Sequence, residues 1–229
     1  MLRDDLDAVG TRIADICRRC GRDPLEVVLV GVTKYSDAVT VNAAVAAGLK
    51  DIAENRVQSA REKFLLVNTA GVRKHLIGHL QSNKAKEAVG IFDLIQSVDS
   101  MGLVDEINKR AAGLNKVQDI LLQVDIAGEE QKFGLPQAEA GSFCGHVSHL
   151  RNVRLLGLMT MAPLTQDREA IRSVFRRCRE MFIAIGKDRA CAGRIEMKHL
   201  SMGMSGDFDI AIEEGATMVR IGSLIFKHQ

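Results

Sequence analysis

A single (β/α)₈ barrel is the fold class that this 229-residue sequence predicts, and three observations predict it. Short apolar runs alternate about eight times with longer amphipathic stretches, the pattern of a parallel α/β fold. The length suits such a barrel near its minimum size, since these domains span about 200 to over 400 residues. No Pro-, Gly- or Ser-rich linker and no low-complexity tract divides the chain, so residues 1–229 read as one domain with an N-terminal helix. A doubly wound open sheet is the structural alternative.

Each element has its own signal. Residues 2–20 read as a helix ahead of the first strand. The run VVLVGV at 27–32 is β-rich and nearly continuous, like a strand covered on both faces. A helix follows over 37–48, with Asp37 as N-cap and Gly48 as its stop. The second strand is placed at 51–53 and its helix at 56–67. His75–Leu80 is the third strand, with Ser82 capping a helix at 83–89. FDLIQSV at 92–98 is the fourth, with Asp99 or Ser100 capping the next helix. VQDILLQV at 117–124 is the fifth, and Pro136 opens the following helix at a favoured position. VRLLGLM at 153–159 is the sixth, before a charged helix over 167–185. Residues 197–202 form the seventh, leading to a helix at 207–214 that stops at Gly215, and MVRIGSLIF at 218–226 is the eighth.

The composition excludes several classes. The chain is 46% hydrophobic and 26% charged with mean hydropathy +0.01, which fits neither a disordered nor a membrane protein. With 31 basic against 29 acidic residues it presents no case for a nucleic-acid footprint. Arg176, Arg177 and Arg179 cluster, but Glu169 and Glu180 interleave with them and a solvated helix face accounts for the run. Cys17, Cys20, Cys144, Cys178 and Cys191 are odd in number, which argues against a disulfide scaffold and for a reducing compartment. The early acids of MLRDDLDAVG are unlike a signal or transit peptide, so a cytoplasmic protein is expected.

In such a barrel the chemistry sits at the C-terminal ends of the strands. Lys34 ends the first strand. An amine at an apolar barrel mouth is expected to be partly desolvated, which lowers its pKa and frees the nucleophilic neutral form. A lysine merely snorkelling from a strand end is the commoner case, so context decides. The context is SMGMSGD at 201–207, where a strand turns into a helix with two hydroxyls and flexible N–H groups, an anion site. Gly222 and Ser223 on the eighth strand add donors, and loops after strands seven and eight are the recurrent phosphate site of these barrels. Closure brings strands one and eight together. A ligand carrying an aldehyde and a phosphate would bridge Lys34 and these donors, and pyridoxal 5′-phosphate (PLP) is such a ligand. Arg220, two residues before Gly222, shares its face and would hydrogen-bond the pyridine nitrogen. On local sequence alone a salt bridge to Glu196, Glu213 or Glu214 is the equal alternative.

The matching segments also resemble a known family. VGVTK at 30–34, ENRVQ at 54–58, HLIGHLQSNK at 75–84, QKFGL at 131–135, GLMTMAP at 157–163 and the long run from His199 to Phe226 are similar, in order, to the pyridoxal phosphate homeostasis proteins. That family, once described as proline synthase co-transcribed proteins, resembles the barrel domain of alanine racemase. The resemblance implies the alanine-racemase N-terminal barrel type and a PLP Schiff base on Lys34. It implies phosphate contacts around Ser201, Ser205, Gly222 and Ser223, Arg220 at the pyridine nitrogen, and Asn55 and Met159 near the cofactor, with Met202 also among the cofactor-binding residues. It implies a protein that binds, buffers and delivers PLP with no dedicated catalysis; apo PLP enzymes are the expected recipients and a monomer the expected state. The end IFKHQ departs from the family, where a glycine commonly follows the phenylalanine.

Two rival readings stand beside this one. A PLP-dependent amino-acid racemase needs acid/base groups on both faces of its substrate. The only tyrosine, Tyr35, follows Lys34 directly and in a strand would point away from it. An isomerase or aldolase acting on a sugar phosphate would use Lys34 without PLP. Metal sites at His75 and His79, at His146 and His149, or at Cys17 and Cys20 lack convincing further ligands. Lys84, Lys86 and Lys132 are weaker candidates for free PLP.

Overall fold

Eight parallel strands close into a barrel in the computed structural model, which describes residues 2–128, 133–188 and 193–226. Gln131, Lys132, Cys191 and the terminal KHQ lie outside the described residues. In chain order the strands are β1 (Val28–Val32), β2 (Asp51–Glu54), β3 (Arg73–Leu76), β4 (Leu94–Val98), β5 (Gln118–Asp125), β6 (Leu135–Pro136), β7 (Val153–Met159), β8 (Ile195–Ser201) and β9 (Met218–Ile221). β6 is only a two-residue ladder on β5. The other eight pair in sequence order, and β9 returns to β1 with Val30 opposite Arg220 and Gly31 opposite Ile221.

The helices form the outer ring: α1 (Leu2–Arg19), α2 (Ala38–Ala46), α3 (Val57–Phe64), α4 (Ala85–Ile91), α5 (Met101–Gly113), α6 (Ala140–Ser148), α7 (Arg168–Lys187) and α8 (Phe208–Glu213). α1 buries Leu6, Val9, Ile13, Ile16 and Cys17, a helical stripe that packs on α2 and α8 beside the β1–β9 seam. Asp37, Ser100 and Asp167 cap α2, α5 and α7 by accepting first-turn N–H groups, each cap worth about 1 kcal/mol. Ser82 instead begins a short 3₁₀ turn before α4 and makes no capping bond.

Three strand ends matter to the site: β1 ends at the expected Val32, which leaves Lys34 beyond the strand, and β3 and β9 end earlier than expected. β1 stops at Val32, so Lys34 and Tyr35 stand in a turn closed by Ser36 N–H donating to Thr33 O (2.9 Å). β3 runs from Arg73 to Leu76 and ends where Gly78 passes over Asn55. A Cβ there would lie 2.1 Å from Asn55 O, so only glycine allows the approach. β9 stops at Ile221, leaving Gly222 and Ser223 in a turn.

The core has two parts. One apolar shell fills the space between strands and helices. The other lies inside the barrel, where Val30, Ala53, Leu94, Leu121, Leu156, Met159 and Met218 pack together. Buried polar side chains share that interior, namely His75, Gln96, Ser201 and Arg220. On the outside, Arg172 binds Glu213 (2.6 Å) and Glu214 (2.9 Å), and Arg176 binds Glu214 (3.2 Å). The arginine cluster is therefore in part an ionic brace between α7 and α8 rather than a purely solvated face. It also occupies Glu213 and Glu214, which removes them as partners for Arg220. Among the described residues no helix is long and apolar enough to cross a membrane, and no His/Cys/Asp/Glu group has metal-site geometry.

Candidate functional site

A cavity of about 600 Å³ opens at the C-terminal ends of the strands, and Lys34, Asn55, Ser205, Arg220, Gly222 and Ser223 all line it. A hollow of the same volume between α6 and α7, lined by Gln137, Ala140 and Met181 among others, offers no amine and no comparable donor set.

The amine end stands on a clamped turn. Thr33 is fully buried, its N–H bonds Ala53 O (2.9 Å), and its hydroxyl donates to Glu54 Oε1 (2.6 Å). Lys63 Nζ reaches both Thr33 O and Glu54 Oε1 at 2.6 Å. This buried ion pair fixes the last residue before Lys34. The Lys34 side chain itself is exposed, with Nζ 4.9 Å from the Tyr35 ring centroid. That corrects two expectations. The amine is not desolvated, because the turn carries it past the apolar strand end. Tyr35 does not face away, because side chains alternate only within a strand; it lines the cavity too.

The anion end is built from backbone. Gly203 adopts φ +92, where a Cβ would come 2.5 Å from the Ala211 Cβ, so glycine alone permits the tight passage against α8. Arg220 N–H bonds Gly203 O (3.0 Å), and Met204 N–H donates to Asp207 Oδ1. The N–H groups of Ser205, Gly206, Gly222 and Ser223 make no hydrogen bond within the described residues. All four residues line the cavity, which leaves these N–H groups available to a phosphate there. α8 has only six residues; Ser205 and Gly206 precede it and Gly222 and Ser223 follow β9, so the site belongs to the two turns rather than to a helix N-terminus. Burial raises the Asp207 carboxyl above the usual range, opposed by the Met204 N–H and by Arg220.

Arg220 forms the floor. It is 3% exposed, donates from Nη1 to Ser201 Oγ (2.7 Å) and from Nη2 to Thr160 O (3.0 Å), and still lines the cavity. Burial depresses its pKa to about 10, so it remains a cation at neutral pH.

The other expected residues divide. Asn55 is in the wall. Ser201 is fully buried beneath it, and its hydroxyl is committed to Gln96 Oε1 (2.6 Å) and Arg220, so it is corrected from phosphate ligand to support. Met202 is buried in the shell between strands and helices, away from the lining. Met159 packs in the barrel interior, and Met161, two residues on, is the methionine that lines the cavity. The period-two spacing within GLMTMAP was the signal for Met161. Ile77, Ser36 and Phe226 also line it without having been singled out. His75 is buried with Asp51 and Gln96, His79 pairs with Asp99 at 3.3 Å and His146 pairs with Asp105.

This arrangement fits PLP by its chemistry: one amine for an aldehyde, a set of N–H donors for a phosphate, and one buried cation lining the same cavity. The model of the alanine racemase N-terminal domain matches residues 5–229. The pyridoxal phosphate homeostasis protein of Aquifex aeolicus is 40% identical over 221 residues, covering 96% of this chain and 95% of that protein. Its Escherichia coli K12 counterpart is 34% identical over 226 residues, covering 97% and 94%. PipY of Synechococcus elongatus PCC7942, 32% identical, has been solved with PLP bound and superposes with TM-score 0.85 over 99% of this chain and 100% of that one. The alanine racemase of Clostridium difficile 630 shares the fold alone, at 13% identity and TM-score 0.69, and this chain spans 56% of it. The chain belongs to the pyridoxal phosphate homeostasis proteins, on the barrel of the alanine racemase N-terminal domain.

Proposed function

We propose that this protein binds pyridoxal 5′-phosphate covalently through Lys34 and serves its intracellular handling, buffering it and delivering it to apo enzymes. The observation that carries this reading is the convergence of Lys34, Arg220 and the four free N–H groups of two turns on one cavity. When bound, the cofactor supplies an aldehyde that condenses reversibly with an amine and a ring that withdraws electrons. The chain's own groups do the rest. Lys34 holds the aldehyde carbon, and its exposed position keeps the linkage open to exchange. Ser205, Gly206, Gly222 and Ser223 hold the phosphate. Arg220 donates to the ring nitrogen and, as a cation, disfavours a proton there, which weakens the ring as an electron sink.

That last property favours a carrier over a racemase. Tyr35 stands beside Lys34 in the same turn, whereas racemisation needs groups on opposite faces of the substrate. The protein acts in this reading as a cytoplasmic monomer.

Titration of purified protein with PLP, followed by visible spectroscopy, tests the reading. A new visible band is expected, and the loaded protein should restore activity to an apo PLP enzyme. A protein that gains no band, or one that racemises a free amino acid briskly without transferring cofactor, would overturn it.

A further inference from the structure

A line of buried hydrogen bonds runs along the barrel interior from Arg220 to the far end of the strands. Arg220 Nη1 donates to Ser201 Oγ (2.7 Å), and Ser201 Oγ donates to Gln96 Oε1 (2.6 Å). Gln96 Nε2 meets His75 Nδ1 (2.8 Å), and His75 Nε2 meets Asp51 Oδ1 (2.9 Å). Ser201, Gln96 and His75 are fully buried. Asp51 opens β2, so the line crosses from the opposite end of the barrel to the cavity floor.

The direction of every link follows from the two ends. A guanidinium only donates, so Ser201 must accept from Arg220 and has its single proton left for Gln96. A carboxylate only accepts, so the His75 proton sits on Nε2 and Nδ1 must accept from the Gln96 amide. Turning the amide round would put an unprotonated imidazole nitrogen against the Asp51 carboxylate or force a second proton onto a fully buried ring. Burial opposes that charge and lowers the His75 pKa, with Asp51 acting the other way. The Gln96 amide is further fixed by its contact with Met218 Sδ (3.2 Å). A chain of donors pointing one way, from a buried cation to an anion, polarises each member in the same sense.

We propose that Ser201, Gln96, His75 and Asp51 form a single positioning relay that fixes the orientation of Arg220 and so sets the electronic environment of the bound cofactor's ring. This rests on the PLP reading above. These are positioning residues: none lines the cavity, and each acts through Arg220.

The experiment compares PLP-loaded wild type with Gln96→Leu, His75→Phe and the double variant. Folding is read by circular dichroism and attachment by borohydride trapping and intact mass. Both single variants are expected to retain trapping on Lys34, to shift the visible band of bound PLP by the same amount, and to lose about tenfold in affinity, the scale on which supporting hydrogen bonds act on a held group. The double variant is expected to add nothing further, because either change already breaks the line. Leu94→Val, an interior change outside the line, should leave the band unmoved. Ser201→Ala, which removes one oxygen, supplies the same reading if Gln96→Leu does not fold. An unmoved band in a folded, loaded Gln96→Leu or Ser201→Ala protein would overturn the relay, as would effects at Gln96 and His75 that simply add. Wild type that takes up no PLP would instead overturn the PLP reading.

Discussion

The two ends of the cavity are made in different ways. The amine end is one side chain, Lys34, presented by a turn that Thr33, Glu54 and Lys63 clamp from below. The proposed anion end is four backbone N–H groups shared between two turns, at Ser205–Gly206 and Gly222–Ser223. A function held by one side chain fails when that residue changes. A function held by backbone survives changes of side chain and fails when the chain path changes.

Four consequences separate the ends. Lys34→Ala should abolish the borohydride-stable adduct while PLP still binds through its phosphate; intact mass and equilibrium dialysis read the two outcomes. Lys63→Met leaves Glu54 buried without its cation, a loss expected to cost about 3–5 kcal/mol. Urea unfolding measures it, and a smaller cost would mean that the clamp relaxes. Gly203→Ala forces a side chain into the left-handed region against Ala211, costing about 1–3 kcal/mol of stability. PLP affinity should fall with it, whereas Ser205→Ala and Ser223→Ala, which leave the N–H groups in place, should each weaken PLP only by roughly 0.5–1.5 kcal/mol. If the serine changes hurt more than Gly203→Ala, the donors are hydroxyls and the contrast fails.

The last consequence concerns charge at the anion end. Asp207→Asn keeps the Oδ1 acceptor for Met204 N–H and removes a buried negative charge near the phosphate donors. Burial raises the folded-state pKa of Asp207, so the folded protein binds that proton more tightly than the unfolded chain. The destabilisation is present above the folded pKa and is relieved as pH falls through it. The stabilities of wild type and Asp207→Asn, compared by urea unfolding across acidic pH, should therefore converge on acidification, and PLP should bind the variant more tightly at neutral pH. A gap that widens on acidification would contradict the assignment.

Much of this was readable from local pattern. The barrel followed from alternation and length, and β7 and most of the other strands and helices lie within a few residues of their expected positions, because apolar runs and caps are local signals. Lys34, Asn55, Arg220, Ser205, Gly222 and Ser223 reach the cavity because strand ends converge by closure. What failed depended on strand ends and on contacts across the barrel. β1 stops two residues before Lys34, which places Tyr35 in the wall and leaves the amine exposed. Ser201 looks like a phosphate ligand in SMGMSGD, yet its hydroxyl is taken by Gln96, 105 residues away in sequence. The interior line from Arg220 to Asp51 has no sequence signature, since every link joins a different strand.

Peptide mapping after borohydride reduction of the PLP-loaded protein, with and without inorganic phosphate as competitor, asks most directly whether amine and anion cradle meet on one molecule. A single adduct on the peptide containing Lys34, diminished as phosphate rises, is expected. Labelling of Lys84, Lys86 or Lys132 instead, or labelling of Lys34 that phosphate leaves unchanged, would contradict it.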